Sequence, residues 1–179
     1  VNNGDGIWTL VPGYDEFTIV HDEWKSDTFK IEKDMPVNTL KYVRNFSNTN
    51  WRAFYVPFAI NYDDIKDNFD VVKLNMAHQE EIDGKLQIKI DFISMKAGQE
   101  LKANYPYLIR PKKAGEYTIT VKNTTLKETK SRSIDCSTVD MKFTFTGTYR
   151  TIFGDELVGK KYYYMSGGKL GYTTDETYQ

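Results

Sequence analysis

Apolar and polar residues alternate with a period of two along much of the chain, the pattern of strands that bury one face. The cleanest run is 85–92, where Leu86, Ile88, Ile90 and Phe92 share one parity and Lys85, Gln87, Lys89 and Asp91 the other. In 116–122, Tyr117, Ile119 and Val121 oppose Glu116, Thr118, Thr120 and Lys122. In 141–149, Met141, Phe143, Phe145 and Tyr149 oppose Lys142, Thr144, Thr146 and Thr148. Leu40, Tyr42 and Phe46 repeat the pattern, as do Val72, Leu74 and Met76, while Phe54, Val56, Phe58 and Ile60 alternate with Tyr55, Pro57 and Ala59. An antiparallel sheet with one wet face demands this alternation. Leu86, Ile88, Ile90, Phe92, Tyr117, Ile119, Val121, Phe143 and Phe145 are therefore expected inside.

Turn chemistry punctuates the runs. Asp83-Gly84, Ala97-Gly98, Ala114-Gly115, Gly154-Asp155 and Gly167-Gly168 fall between them at hairpin spacings, which predicts a meander or Greek key. The spacing allows at most one short helix, near residues 62–69, with Asn61 or Asp63 as cap and acidic residues in its first turn. No stretch of twelve or more residues carries a 3.6 period, which disfavours parallel βαβ units. The fold class is all-β, an antiparallel β-sandwich, with a β-barrel as the alternative. Residues 1–179 read as a single β-domain with a flexible lead-in over 1–15, and the polar stretch 124–133 reads as a long surface loop.

Two prolines and a tryptophan read as scaffold. Pro57 and Pro106 interrupt otherwise good strands, which is tolerated at an edge or bulge where the missing donor faces no partner. Trp51 has the parity opposite to Phe54 through Ile60, so its indole is expected to fold over a sheet edge or a core end. If buried there, Trp51→Ala would cost roughly 3 to 5 kcal/mol.

Composition narrows the functional classes. Lys and Arg total 24 against 25 Asp and Glu, so no basic excess exists to neutralise nucleic acid. Mean hydropathy is -0.58 and no apolar run approaches the roughly 20 residues of a membrane span. One Cys and two His supply no disulfide framework and little material for zinc or imidazole chemistry, so no cofactor is expected. The first residue is Val1, without a charged and apolar leader after it, as in a processed or cut piece.

Candidate chemistry is sparse. Asp63, Asp64, Asp67 and Asp70 gather oxygen ligands suited to Ca²⁺, but the glycine and closing Glu of an EF-hand loop are absent, and a solvated face accounts for them better. Asn2-Asn3-Gly4-Asp5-Gly6 reads as a flexible lead-in. His21 and His78 belong to no catalytic or zinc motif and read as surface or structural residues. Cys136, placed at the start of a strand, reads as a small buried hydrophobe. Ser166 lacks the nucleophile elbow and reads as a turn serine. Glu80-Glu81 and Asp155-Glu156 read as hydrated turn acids. Among the aromatics Trp51, Tyr55, Tyr105 and Tyr107, core or rim packing is the simpler account. Tyr162, Tyr163 and Tyr164 are the candidate ligand-binding aromatics, because consecutive strand side chains point to opposite faces and at least one is expected to meet solvent or a partner.

The segment Asn50-Trp51-Arg52-Ala53-Phe54-Tyr55-Val56-Pro57-Phe58 resembles a recurrent strand of secreted Bacteroidetes surface proteins. Residues 98–110, then 114–121, are similar to that family's proline-aromatic-leucine-isoleucine hairpin and following strand, and 143–149 and 164–170 to its late strands. The resemblance covers roughly residues 35–172 and consists of structural patterns without a catalytic signature. It implies an adhesin-like β-domain, often found with leucine-rich repeats, in an extracellular or cell-surface location. The family pattern continues to a further aromatic strand, whereas this sequence stops at Tyr178-Gln179, so an edge is expected to be missing, paired elsewhere or supplied by a neighbour. The resulting expectation is a non-enzymatic surface module with a structural, adhesion or presentation role, whose partner is a protein or glycan. A carbohydrate-binding β-sandwich that uses exposed aromatics is the alternative.

Overall fold

The computed structural model describes residues 15–21, 29–139, 141–149, 156, 162–166 and 169–172. Their strands are β1 (Glu16–Val20), β2 (Met35–Phe46), β3 (Arg52–Phe54), β4 (Ile60–Asn61), β5 (Phe69–Ile82), β6 (Lys85–Ser94) and β7 (Glu100–Leu101). The later strands are β8 (Tyr107–Pro111), β9 (Gly115–Leu126), β10 (Arg132–Asp135), β11 (Thr144–Gly147), β12 (Tyr163–Ser166) and β13 (Lys169–Tyr172). The fold is nearly all β, with curled antiparallel sheets forming a half-barrel.

One sheet has the order β1-β2-β9 and another β3-β8-β5-β6; β4-β7, β10-β11 and β12-β13 form two-stranded pairs. Among the described residues the exception to antiparallel pairing is β1, which runs parallel to β2 from Glu16 opposite Thr39 to Val20 opposite Val43. Their connection, residues 21–34, has the dozen or more residues that a parallel crossover requires.

The core lies between the two larger sheets. The alternation in β2 buries Leu40, Tyr42 and Phe46, and these meet Phe54, Phe58, Phe69, Val71 and Ile109. Tyr42 stands edge-on to Phe54 with ring centroids 5.8 Å apart, and Phe46 lies 5.6 Å from Phe69. In β9, Ile119 is buried, while Tyr117 and Val121 are partly buried against the same cluster. Phe143 and Phe145 are half-buried rather than inside. The predicted strand over 141–149 is confined to β11, and the predicted loop over 124–133 shrinks to residues 127–131, because Thr124 and Thr125 extend β9 opposite Val37 and Pro36.

The run 54–60 is not one strand. Tyr55, Val56, Pro57 and Phe58 are all buried, which a two-faced strand with one wet side does not allow. The carbonyls of Val56 and Pro57 accept hydrogen bonds from the backbone N–H groups of Asn104 and Lys127 at 2.8 and 2.6 Å. Pro57 therefore sits in a buried connection, and Pro106 lies immediately before β8. The predicted helix is a 3-10 turn over Tyr62–Asp64, capped by the Asn61 side chain, which accepts from the Asp63 N–H at 3.1 Å.

In β5 the register against β6 shifts between Leu74 and Met76, so Asn75 is an extra residue. The bulge reverses the parity of everything beyond it. Leu74 is buried, whereas Met76, two residues on, is exposed, contrary to the period-two expectation. The larger correction concerns β6: Leu86, Ile88 and Phe92 are exposed and Ile90 is only half-buried. Lys89 is exposed as well, so toward the tip neither face of the strand is covered. Asp15 of the expected lead-in accepts the Thr39 N–H at 2.9 Å; residues 1–14, Gly154-Asp155 and Gly167-Gly168 lie outside the described residues.

Gly147 is fixed by packing, since a Cβ there would run into the Tyr55 ring. That ring is held by its hydroxyl, which donates to the Lys130 carbonyl, and by Tyr149 at 4.6 Å. Gly147→Ala is expected to destabilise the fold by about 1 to 3 kcal/mol in chemical denaturation. Gly84 has a φ of 69° but open space around it, so Gly84→Ala should cost only about 1 kcal/mol, through backbone strain. An unchanged midpoint for Gly147→Ala would refute this packing.

Candidate functional site

The 14 residues of β5 span roughly 46 Å, whereas the 5 residues of β8 span only about 17 Å. The ladder between them ends where Lys73 faces Tyr107. Beyond Leu74 the β5–β6 hairpin therefore runs on as a two-stranded ribbon. Asp83 and Gly84, with φ of 53° and 69°, close it in the left-handed conformations of a two-residue hairpin turn.

The two faces of the ribbon differ. Registered pairs place Leu74 with Phe92, Ala77 with Ile90, Gln79 with Ile88 and Glu81 with Leu86 on one face. Near the body this face is shielded: Val72, Leu74, Ala77 and Leu108 are buried. Toward the tip it opens, with Phe92 at 36%, Ile88 at 42% and Leu86 at 68% exposure. The opposite face is charged: Lys89 lies 3.3 Å from Glu80, and His78 3.6 Å from Asp91. Met76, Ile82 and Ile93 are exposed apolar residues on this charged side.

The backbone is open too. Among the described residues β6 pairs only with β5, so its outer row of N–H and C=O groups meets no strand. On the other side of the ribbon, the Ala77 N–H donates to the Cys136 carbonyl at 3.3 Å. A free edge beside an apolar face is a template for pairing.

The residues singled out from sequence take other places. Tyr162 is exposed and Tyr163 is half-buried with its ring 5.8 Å from Phe143; Tyr164 faces Gly171 across the β12–β13 ladder, and its side chain is outside the described residues. The four aspartates do not converge: Asp63 takes Lys66 at 2.6 Å and the Gly98 N–H at 2.7 Å, whereas Asp70 pairs with Arg110 at 2.9 Å. Those hydrogen bonds hold the Asp63 carboxyl below its usual range. No group of three His, Cys, Asp or Glu able to hold a metal ion occurs among the described residues.

Cys136 is buried just after β10 rather than at the start of a strand, and burial raises its thiol pKa. Ser166 ends β12 opposite Lys169. Tyr55 and Tyr107 are buried; burial lifts the Tyr55 hydroxyl to about 12, and the Tyr107 hydroxyl accepts the Lys102 N–H. Tyr105 packs 4.9 Å from Tyr107, under the Arg132 guanidinium. Trp51 is half-buried beside the edge strand β3, with the Arg110 guanidinium 4.8 Å from its ring. No helix among the described residues is long and apolar enough to cross a membrane. The chain matches no family model, no curated protein and no solved structure.

Because Trp51 is half-buried, Trp51→Ala should cost about 1 to 2 kcal/mol, less than a fully buried tryptophan. Equilibrium unfolding measures it, and a loss beyond about 3 kcal/mol would show a buried indole.

His21 sits against Tyr42, its Nδ1 2.8 Å from the hydroxyl, and burial, aided by the Arg44 charge, lowers its pKa from 6.5 to about 3. The unfolded chain thus takes up a proton below 6.5 that the folded chain refuses until about 3. Stability must fall as pH drops through that window. His21→Gln is expected to flatten the dependence of melting temperature on pH between neutrality and the onset of carboxylate titration. An unchanged slope would exclude His21 as its source.

Proposed function

We propose that this chain is a non-catalytic β-module of an exported or cell-surface protein, and that the β5–β6 hairpin is its working surface. The observation that carries the reading is the row of Phe92, Ile88 and Leu86 open to solvent, with half-buried Ile90 among them, beside a sheet edge that meets no strand among the described residues. Large apolar side chains exposed in a row mark association surfaces, because each loses contact with water when a partner covers it. An extended protein segment fits such an edge by adding a strand, with backbone hydrogen bonds giving affinity and the apolar row giving selectivity. The surface location is supported by the resemblance to secreted Bacteroidetes proteins.

Leu86→Lys and Ile88→Lys should leave the melting temperature nearly unchanged, since exposed substitutions shift stability by only about 0.5 kcal/mol. The same variants should abolish binding of a hydrophobic fluorescent probe and of cell-surface protein extract. Retention of both interactions would sink the reading, as would hydrolysis of glycoside, ester or peptide substrates that a single carboxylate substitution abolishes.

The exposure of Tyr162 favours a second reading, in which a sugar ring stacks on this residue. A glycan array decides it: binding lost in Tyr162→Ala but kept in Ile88→Lys would move the site to the tyrosine strand.

A further inference from the structure

Resting on the reading of the hairpin as an interaction surface, we infer that the outer edge of β6 pairs with β6 of a second copy of this chain. The pairing is antiparallel about a two-fold axis through Ile90. In this register Leu86 faces Ser94, Gln87 faces Ile93, Ile88 faces Phe92, Lys89 faces Asp91, and Ile90 faces itself.

Charge complementarity selects the partner and the register. Side chains of one antiparallel pair lie on the same face, so the apolar row of each copy continues into that of the other. The charged face meets its like, and there a shift of two residues matters: with Lys89 on the axis the two lysines oppose each other, and with Asp91 on the axis the two aspartates do. With Ile90 on the axis, Lys89 meets Asp91 twice. The nearest other registers free of like-charge pairs put Ile88 or Phe92 on the axis, and both shorten the overlap: the first sets Phe92 against Gly84, and the second sets Ile90 against Ser94 and carries Lys89 past the end of the strand.

An edge lysine ordinarily blocks pairing by stranding its charge against a foreign strand. Here the same lysine admits a second copy, which supplies the carboxylate, and disfavours strands without one. The Lys89–Glu80 ion pair and the His78–Asp91 contact within each hairpin leave Lys89 and Asp91 on the face where the second copy would meet them. Joining the two four-stranded sheets satisfies the outer backbone groups of both β6 strands and adds cross-strand contacts among Ile88, Ile90 and Phe92.

Sedimentation velocity of the whole chain over a micromolar to millimolar concentration series tests the pairing. The unaltered protein should show a concentration-dependent dimer. Lys89→Asp and Asp91→Lys, each placing like charges opposite one another twice, should weaken dimerisation about tenfold or more. An equimolar mixture of the two variants restores both attractive pairs and should recover the dimer, which separates interface loss from misfolding. A protein that stays monomeric throughout, a mixture that stays monomeric, or variants that dimerise as well as the parent would overturn the inference. A monomeric parent whose binding to surface protein is still lost in Ile88→Lys would leave the interaction reading standing without self-pairing.

Discussion

The fold depends on the aromatic seam between β2 and the facing sheet. Tyr42 and Phe46 reach across to Phe54, Phe58 and Phe69, with ring centroids 5.6 to 6.0 Å apart. Such contacts combine large buried areas with edge-on and tilted geometry, and they set how far apart the two sheets lie. Tyr42 also carries a polar obligation, because its hydroxyl meets His21, whose burial disfavours the charged imidazolium. One strand thereby joins hydrophobic burial to the acid sensitivity of the fold.

Around this seam the smaller features act as fasteners. The buried connection through Pro57 is tied to Asn104 and Lys127 by backbone hydrogen bonds, and Asn104 also accepts from the Tyr149 hydroxyl and donates to the Glu128 carbonyl. Asn104 is a buried polar side chain whose donor and acceptor both have partners, which is what makes it tolerable inside. Tyr55, Tyr149 and Gly147 lock the β11 strand by shape. These residues hold irregular backbone where a sheet ladder cannot.

The hairpin is the counterpoint. It shares its base with the core sheet and therefore inherits a fixed orientation, but its outer half lies beyond the reach of any neighbouring strand among the described residues. Its amphipathic pattern, which in a covered sheet would face the interior, is left open to solvent toward the tip. A rigid base with an unsatisfied tip is how a sheet protein can display a binding edge without loosening its own core.

The sequence by itself determined the all-β class, the period-two faces of regular strands such as β2 and β9, and the Asp83-Gly84 turn. All three follow from local chemistry: alternation of side chains, β-branched and aromatic content, and residues that accept positive φ. It also narrowed the cap of the short helical turn to Asn61 or Asp63, between which the structure chose Asn61, and determined the division of β6 into an apolar and a charged face. Burial lay beyond it, because Leu86, Ile88 and Ile119 carry the same local signal while only Ile119 has an opposing sheet to cover it. One clue to the difference was present, in that Gln79 and Glu81 share a face with Ile88 and Leu86, but it became legible only once the bulge at Asn75 set the register. Tertiary structure alone decided the parallel β1, the burial of Pro57 and the projection of the hairpin, because each depends on which distant strands end where.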